Sequence, residues 1–333
     1  MAGSKNLILM PPNRLDAFAA TGVLADMLRA EPTKGTHIMC HEAQVPFFQD
    51  APGRISFISY QSAQGAGAAA MMALMGRRWH RIIGLTQQKM PFFLWARHRH
   101  IFRYQPESYA LPSLLAPDRA TPPHIWIPEK LFLALPETLS PDTPLVVFAT
   151  GEHLRADWDY RHYAELAWRL ADSVPQLAAA HIVVLAQKNC PLAGALMANL
   201  PAGQITRFDD LAYAKQAALL RRAHIVIGTD RLVARMAPYA GANLVLRLDR
   251  DDTAQAGRPY GIYGGADAAQ VAVYVQGLLA QMEKSVATDE VNRQSASQAA
   301  TNAARFAKTE DQPMSATDMR RMAAQIDRIN SDE

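Results

Sequence analysis

Short apolar runs recur along this chain, and stretches of helical periodicity separate them. Ile225-Val-Ile227 is β-branched and does not alternate with polar residues, which is typical of a parallel strand covered on both faces. Comparable runs begin at Leu7, Thr36, Ile55, Arg81, Leu145, His181, Ile205 and Leu244. Because helical patterns alternate with these runs, the sequence predicts an α/β fold of doubly wound parallel sheets.

A proline-rich stretch divides this series into two halves. Residues 106–144 contain nine prolines, a density that predicts an irregular connection rather than a core element. With 333 residues, the chain is long for one domain and sufficient for two. We therefore predict a first Rossmann-like domain with its linker over residues 1–140 and a second one over residues 141–283. Residues 284–333 are expected to be mostly disordered, with one amphipathic helix over residues 315–329.

A polar turn follows the Ile225–Ile227 run. In Gly228-Thr-Asp230, the aspartate is placed to cap a helix that starts at Arg231 or Leu232, and Gly241 is placed to end it. Ligands of open α/β sheets bind beyond the carboxyl ends of the strands, where helix N-termini attract phosphate groups. The turn is therefore a candidate site for a nucleotide-linked substrate. The alternative is a strand-turn-helix unit that serves only as scaffold.

Positive charge is concentrated in the first half of the chain. No acidic residue lies between Asp50 and Glu107. The basic residues of this interval, interleaved with aromatic ones, are Arg54, Arg77, Arg78, Arg81, Lys89, Arg97, Arg99 and Arg103. Such a cluster attracts anions, and arginine suits phosphate in particular. The pattern leaves a phosphorylated acceptor, an acidic membrane surface, nucleic acid or a merely solvated basic face as alternatives.

The remaining composition indicates a cytoplasmic protein without a metal centre. Cys40 and Cys190 lie far apart and without metal-ligand spacing, which favours two reduced thiols. Pro11-Pro12 interrupts the first apolar run too early for a signal peptide. No apolar run approaches the roughly 18 residues of a membrane span.

Several segments between residues 7 and 283, taken in order, resemble one enzyme family. Residues 9–24 resemble a strand followed by R-x-S-x-L-G-D-x-x-x-x-T-P-x-L, and residues 81–88 resemble Y-D-x-x-I-D-L-Q. Residues 150–163 resemble a loop written K-x-W-P-x-x-x-(Y/W/F). The stretch from Gly228 resembles G-N-D-(S/T)-G-P-x-H-L-A-A-A-x-G-x-P-x-V, and Pro259-Tyr-Gly261 resembles the glycine-rich loop after it. The set resembles glycosyltransferase family 9, the ADP-heptose:lipopolysaccharide heptosyltransferases, which have the GT-B fold of two Rossmann-like domains facing across a cleft.

The resemblance implies a metal-independent, inverting transfer of a heptose-like sugar. The donor it implies is an ADP-linked nucleotide diphosphate sugar, and the acceptor is a lipopolysaccharide-core or related anionic glycolipid. Asp16 matches the family's general base, a role that needs an ionised carboxylate within reach of the acceptor hydroxyl. The donor-binding candidates are Thr150, His153, Arg155, Gly228, Thr229, Asp230, Arg231 and Arg235. Backbone amides at the start of the helix that follows Asp230 are expected to hold the diphosphate.

The acceptor-binding candidates are Asn13, Arg14, Lys89, Arg97, Arg99 and Arg103. Apart from the nucleotide-sugar co-substrate, no cofactor, metal or nucleic-acid partner is expected. Peripheral contact with the cytoplasmic face of the inner membrane is part of the same expectation. The oligomeric state is not predicted.

The chain also departs from the family pattern. The family's S/T-G-P-x-H is replaced by residues 231–235, the lysine of the second-domain loop by Ala156, and the glycine and proline of the first segment by Leu15 and Gly22. These departures leave open an alternative function, a catalytically inactive GT-B homologue that binds or assists in surface polysaccharide assembly.

Three aspartates also have a simpler interpretation as helix caps. Asp16 has this alternative to its role as a base. Asp209 or Asp210 is expected to cap the helix that runs to Arg222.

Overall fold

The structure is a computed structural model. It describes residues 5–62, 70, 72–85, 94–101, 111–112, 120–128, 131, 143–150, 158–186, 190–200, 205–248, 260–262 and 267–284. One compact unit is Met1–Ala272 and the other is Val273–Glu333. Within the second unit, residues 273–284 are described and are helical. The tail expected to be disordered and its helix over 315–329 lie outside the described residues, which end at Lys284.

Five parallel strands form the first sheet, in the order β3-β2-β1-β4-β5. The strands are β1 (Lys5–Leu9), β2 (Gly35–His41), β3 (Ile55–Tyr60), β4 (Arg78–Gly84) and β5 (Trp95–Ile101). Helix α1 (Arg14–Ala30) connects β1 to β2, and a 3-10 helix (Glu42–Phe47) follows β2. Because the chain proceeds outward from β1 first on one side and then on the other, the sheet is doubly wound.

The proline-rich connection packs against α1. It contains a short antiparallel pair, β6 (Leu111–Pro112) and β7 (Ala120–Thr121). The Thr121 hydroxyl donates to the buried carboxylate of Asp26 at 2.6 Å, and the His124 amide donates to the Thr21 hydroxyl at 2.8 Å. A Cβ at Gly22 would collide with the carbonyl oxygen of Pro122. Glycine at this departure from the family pattern therefore allows the linker to approach the helix.

Six parallel strands form the second sheet, in the order β10-β9-β8-β11-β12-β13. The strands are β8 (Leu145–Ala149), β9 (His181–Ala186), β10 (Ile205–Asp209), β11 (Ile225–Gly228), β12 (Leu244–Leu248) and β13 (Tyr260–Ile262). The helices are α2 (Tyr160–Ser173), α3 (Pro191–Ala198), α4 (Tyr213–Arg222), α5 (Arg231–Ala240) and α6 (268–284), and a 3-10 helix (Pro175–Leu177) follows α2. The predicted pair of doubly wound parallel sheets is confirmed.

Aromatic side chains join the two halves within the first compact unit. The Phe18 ring of α1 lies 6.3 Å from Phe47 and 6.0 Å from Tyr239 of α5, both edge-on. Phe47 in turn contacts Tyr213 of α4 at 4.7 Å between ring centroids. These residues belong to one buried apolar cluster that draws on both sheets. The contacts fix the first turns of α1 close to α5, and edge-to-face pairs of this kind add to the apolar burial.

Some sequence-based expectations are wrong in detail. Strand β5 was not anticipated. Helix α4 is capped by Ala212, not by Asp209 or Asp210. Asp16 is not an N-cap either, because α1 begins two residues earlier and Asn13 caps it. No described helix combines the length and the apolar character that crossing a bilayer requires.

Candidate functional site

The loop between β1 and α1 is held by a buried glutamine. The Gln44 side-chain amide donates to the Pro11 carbonyl at 2.7 Å and to the Asn13 carbonyl at 3.1 Å, and its oxygen accepts from the His41 amide. Asn13 then caps α1 by accepting from the Leu15 amide at 2.9 Å. Since buried polar groups hold their partners firmly, the start of α1 has a fixed position.

Two candidate residues lie in the first turn of α1. Asp16 is half-buried there, where a carboxylate is stabilised by the helix dipole. Arg14 is exposed, and its guanidinium lies 5.9 Å from the centre of the Phe47 ring. A cation over an aromatic face is held by the ring quadrupole, so Arg14 is oriented towards α4, whose Tyr213 packs on that same ring.

The turn after β11 is bonded to the end of β8. The amides of Thr229 and Asp230 donate to the Ala149 carbonyl at 3.0 and 3.2 Å, and the Thr229 hydroxyl donates to the Thr150 carbonyl at 2.9 Å. A Cβ at Gly228 would lie within 3 Å of three backbone atoms of Ala149. Only glycine permits this approach.

Asp230 caps α5, as the sequence predicts. One carboxylate oxygen accepts from the amides of Leu232 at 2.8 Å and Val233 at 3.0 Å. The helix ends at Gly241 in a left-handed conformation (φ 102°), also as predicted. Together with the bonds to β8, the amides of Thr229, Asp230, Leu232 and Val233 already have partners within the protein. The expected cradle of backbone amides for a diphosphate is therefore largely occupied by the protein itself.

A polar cavity of about 110 Å³ lies at the carboxyl ends of β9 and β10, beside the start of α5. Its polar lining comes from Arg14, Asp210, Gln216 and Asp230. Its apolar lining comes from Leu185, Ala186, Phe208, Leu211, Leu232 and Val233. The cavity thus brings Arg14, at the start of α1, together with Asp230, in the turn after β11. These two residues are 216 positions apart in the sequence.

Asp210 and Gln216 of this cavity were not assigned to the site from the sequence. Asp210 has φ 47°, the left-handed region that aspartate tolerates better than most residues. Its amide donates to the Ala186 carbonyl at 3.1 Å, which ties it to the end of β9. A polar residue just after a parallel strand is the available signal, and the same position also favours a helix cap.

A second cavity, of about 40 Å³, lies between α2 and the second sheet. Its lining includes Val146, Leu170 and Ile182, together with other apolar side chains. It is remote from the carboxyl ends of the strands, and its described lining contains no ionisable side chain.

Three other predicted donor residues, Thr150, Arg231 and Arg235, lie next to the turn after β11 or on the helix that follows it. Thr150 is buried, and its hydroxyl donates to the Leu185 carbonyl at 3.3 Å. Arg231 is exposed and Arg235 half-buried on α5. His153, Arg155, Lys89 and Arg103 lie outside the described residues.

Arg97 and Arg99 lie on strand β5, at the edge of the first sheet, and are exposed. Arg99 is level with Ile82 in β4 and hence with Leu7 in β1, whereas Arg14 lies beyond the carboxyl end of β1. The structure therefore does not bring these two arginines together with Arg14.

Among the residues that the structure describes, no group of three or more His, Cys, Asp or Glu side chains is arranged to hold a metal ion. Burial raises the pKa of the Cys40 thiol to about 12, so this thiol stays protonated at neutral pH.

Comparison with known proteins finds likeness at the level of structure alone. No protein-family model matches the chain, and neither does any curated protein sequence. Among solved structures, ADP-heptose lps heptosyltransferase II of E. coli superposes with a TM-score of 0.61 at 15% identity, covering 84% of this chain and 99% of that one. A glycosyl transferase family 9 protein of Veillonella parvula DSM 2008 gives 0.55 at 11% identity, with 80% and 83% covered. A putative UDP-N-acetylglucosamine 2-epimerase of Listeria monocytogenes gives 0.53 at 16% identity, with 85% and 89% covered.

These likenesses define the class of fold. The chain has the GT-B architecture of two Rossmann-like halves, and the predicted fold class is confirmed. At such low identities the likeness concerns the fold, and the same fold carries more than one chemistry. The particular activity has to be argued from the site.

Proposed function

We propose that this protein is a family 9-like glycosyltransferase that moves a sugar from a nucleotide diphosphate donor to an anionic glycolipid acceptor. In this proposal the donor is ADP-linked, the sugar is a heptose or a close relative, and the transfer inverts the anomeric carbon without a metal ion. The heptosyltransferase neighbours support the family, and the motif resemblance supports the donor and the acceptor.

The observation that carries the proposal is the shared cavity of Arg14 and Asp230. The family resemblance assigns the segment from β1 to the start of α1 to the acceptor, and the turn after β11 to the donor. Both segments line the same cavity. A transfer between two substrates needs both reacting groups within about 3–3.5 Å of each other. Convergence of the two loops is the arrangement that such a reaction requires.

Asp16 acts as the general base in the proposed step. The acceptor hydroxyl oxygen attacks the anomeric carbon and forms the new C–O bond, while its proton passes to the Asp16 carboxylate. The bond between the anomeric carbon and the diphosphate oxygen breaks, and its electron pair leaves with the nucleoside diphosphate. Asp16 lies two residues after the cavity-lining Arg14, in the first turn of a helix whose start Gln44 holds in place.

Arginine side chains, rather than backbone amides, bind the diphosphate. Four amides of the turn are already bonded within the protein, so the compensating positive charge comes from Arg231 and Arg235 of α5. Asp210 accepts hydrogen bonds from the hydroxyl groups of a ribose or a sugar, since a carboxylate is an acceptor only. A cavity of about 110 Å³ is smaller than a typical ligand pocket of roughly 300 Å³ or more, so it takes one part of the donor, not the whole molecule.

The first test is thermal-shift screening against ADP-, UDP-, GDP- and dTDP-sugars and the free nucleotides. A ligand that binds only the folded protein stabilises it, by about 2.7 kcal/mol at a hundredfold excess over Kd. The melting temperature rises as a result. A selective response to the ADP-linked compounds supports the proposed donor. A response to none of them from a folded sample refutes it.

The second test separates catalysis from binding. Asp16→Asn should abolish sugar transfer and leave the donor-induced thermal shift unchanged. Asp172→Asn, an exposed aspartate in α2, is the matched control and should keep full activity. Donor binding without transfer in the wild-type protein, given lipopolysaccharide-core acceptors, would instead support the catalytically inactive homologue.

A further inference from the structure

The amino ends of the first sheet form a basic rim. Because the five strands are parallel, their amino ends meet on one side of the sheet, opposite the side that leads to the cavity. Nearly every strand carries a cation there: Lys5, Lys34, Arg54, Arg77 and Arg78. We name these five residues the amino rim.

Contacts within the sheet hold part of this rim together. The Thr36 amide donates to the Arg54 carbonyl at 2.9 Å. The Cβ position of Gly35 lies 3.9 Å from Lys5 Cγ and 3.8 Å from the Arg54 carbonyl oxygen. The amino ends of β1, β2 and β3 therefore adjoin, and their cations form one patch.

Large apolar side chains are exposed beside the rim. Trp95 is 71% exposed, Met72 is 66% exposed and Met75 is 55% exposed. Trp95 is the register partner of Arg78, and Met75 is two residues from Arg77. Exposed apolar side chains that are rimmed by charged residues mark surfaces for protein or membrane partners.

Among the described residues, the carboxylates of Glu31 and Asp50 offset only part of the rim's charge. Glu31 is held by Asn6 at 2.8 Å and by Arg81 at 3.1 Å, and it also pairs with Lys34 at 3.6 Å. Asp50 is half-buried, four residues before Arg54. With five rim cations and Arg81 against two carboxylates, the patch is strongly positive.

We propose that the amino rim with Trp95, Met72 and Met75 docks on a bilayer of anionic phospholipids. Rim cations bind the headgroups, and tryptophan and methionine enter the interface, where tryptophan is favoured. Strands that rise about 3.3 Å per residue put roughly 16 Å between the two ends of β1, so this surface is separate from the cavity. The proposal concerns where the protein lies, and it stands whether or not sugar transfer is shown.

Vesicle co-sedimentation of the full chain, without any donor, tests this proposal. The wild-type protein should sediment with vesicles of phosphatidylglycerol and phosphatidylcholine and remain in solution with phosphatidylcholine alone. Binding should fall in high salt because screening weakens attraction to the charged surface. Arg77→Gln with Arg78→Gln should lower the partition coefficient about tenfold or more. Trp95→Ala should lower it several-fold.

Matched controls lie on the second sheet's helices. Arg161→Gln with Lys215→Gln removes the same charge from exposed positions of α2 and α4, and Trp168→Ala removes an exposed tryptophan of α2. These controls should bind as the wild type does, with all melting temperatures within a few degrees.

Three results would overturn the docking proposal. The first is equal sedimentation of the wild-type protein with neutral and with anionic vesicles. The second is an equal loss of vesicle binding in the control variants and in the rim variants. The third is displacement of the protein from vesicles by a single-stranded RNA that binds more tightly. Asp16→Asn should keep full vesicle binding, so failure of the proposed catalysis and failure of docking are distinguishable.

Discussion

Replacing Gly228 by alanine should strongly destabilise the candidate site. The added Cβ would lie within 3 Å of the oxygen, carbonyl carbon and Cα of Ala149. These are backbone atoms of the buried strand β8, so no side-chain rotation relieves the clash. The ends of β8 and β11 have to separate instead.

The expected magnitude follows from the bonds that this separation breaks. Thr229 and Asp230 donate their amides to Ala149, and the Thr229 hydroxyl donates to Thr150, at 2.9 to 3.2 Å. At about 1 kcal/mol net for each hydrogen bond, the loss is about 3 kcal/mol. Overpacking of a close-packed region costs a similar amount. At roughly 2–4 °C per kcal/mol, the melting temperature should fall by at least about 6 °C.

Differential scanning calorimetry on Gly228→Ala and on Gly194→Ala gives the comparison. Gly194 lies in α3, and its Cβ position is 3.8 Å from an Arg207 guanidinium nitrogen, an ordinary contact. Alanine is favoured over glycine in a helix by about 0.5–1 kcal/mol, so the control should be as stable as the wild type or slightly more stable. Gly228→Ala should also lose its donor-induced thermal shift. A Gly228→Ala protein that melts within 1 °C of the wild type would refute the close approach of β8 and β11.

Three further predictions concern the first loop, the helix cap and acid pH. Gln44→Leu should lower the free energy of unfolding by about 1–3 kcal/mol in urea titration, because it leaves the buried Pro11 carbonyl without its donor; an unchanged midpoint would contradict this. Asp230→Ala should cost about 1 kcal/mol in the same assay, and Asp230→Asn, which retains a capping oxygen, should cost less; equal losses would argue against capping. Stability should also decline as the pH falls from 7 to 4. Burial and the charge of Arg81 hold the pKa of His100 below its usual value, and for Glu31 hydrogen bonds and cations outweigh burial and hold its pKa low. Both groups bind protons more readily in the unfolded chain, so acid favours unfolding; Glu31→Gln should flatten the decline below pH 5, and a stability that rises towards pH 4 would refute this assignment.

The buried strands could be predicted because their sequences carry a strong signal. Runs such as Leu145–Ala149 and Ile225–Gly228 are apolar throughout, as strands covered on both faces must be. The strand Trp95–Ile101 has no such signal, since arginine and histidine alternate along it. It lies at the edge of the sheet, where polar side chains reach water and charge discourages further pairing. Hydrophobic pattern alone could not find it.

The prediction that Asp209 or Asp210 caps α4 is wrong for a local reason that the sequence does not display. Asp209 accepts from the Arg207 guanidinium at 2.7 Å, and Asp210 takes a left-handed conformation. Both aspartates are thereby removed from the helix start, and α4 begins at Tyr213 without a side-chain cap. Asp230, by contrast, directs its carboxylate to the amides of Leu232 and Val233, and its prediction as a cap is confirmed. Asp210 lines the cavity and does not cap the helix.

Helix α1 connects the two surfaces that the proposals concern. Its first turn places Arg14 in the cavity, and its C-terminal cap, Glu31, bonds Asn6 and Arg81 beside the amino rim. The 17 residues between these ends span about 25 Å at 1.5 Å per residue. The linker bonds to the middle of the same helix through His124 and Thr21, and nearer its end through Thr121 and Asp26. A single helix is thus fixed at its start, middle and end by three different parts of the chain. Its position therefore sets how far a bilayer bound at the rim would lie from the cavity.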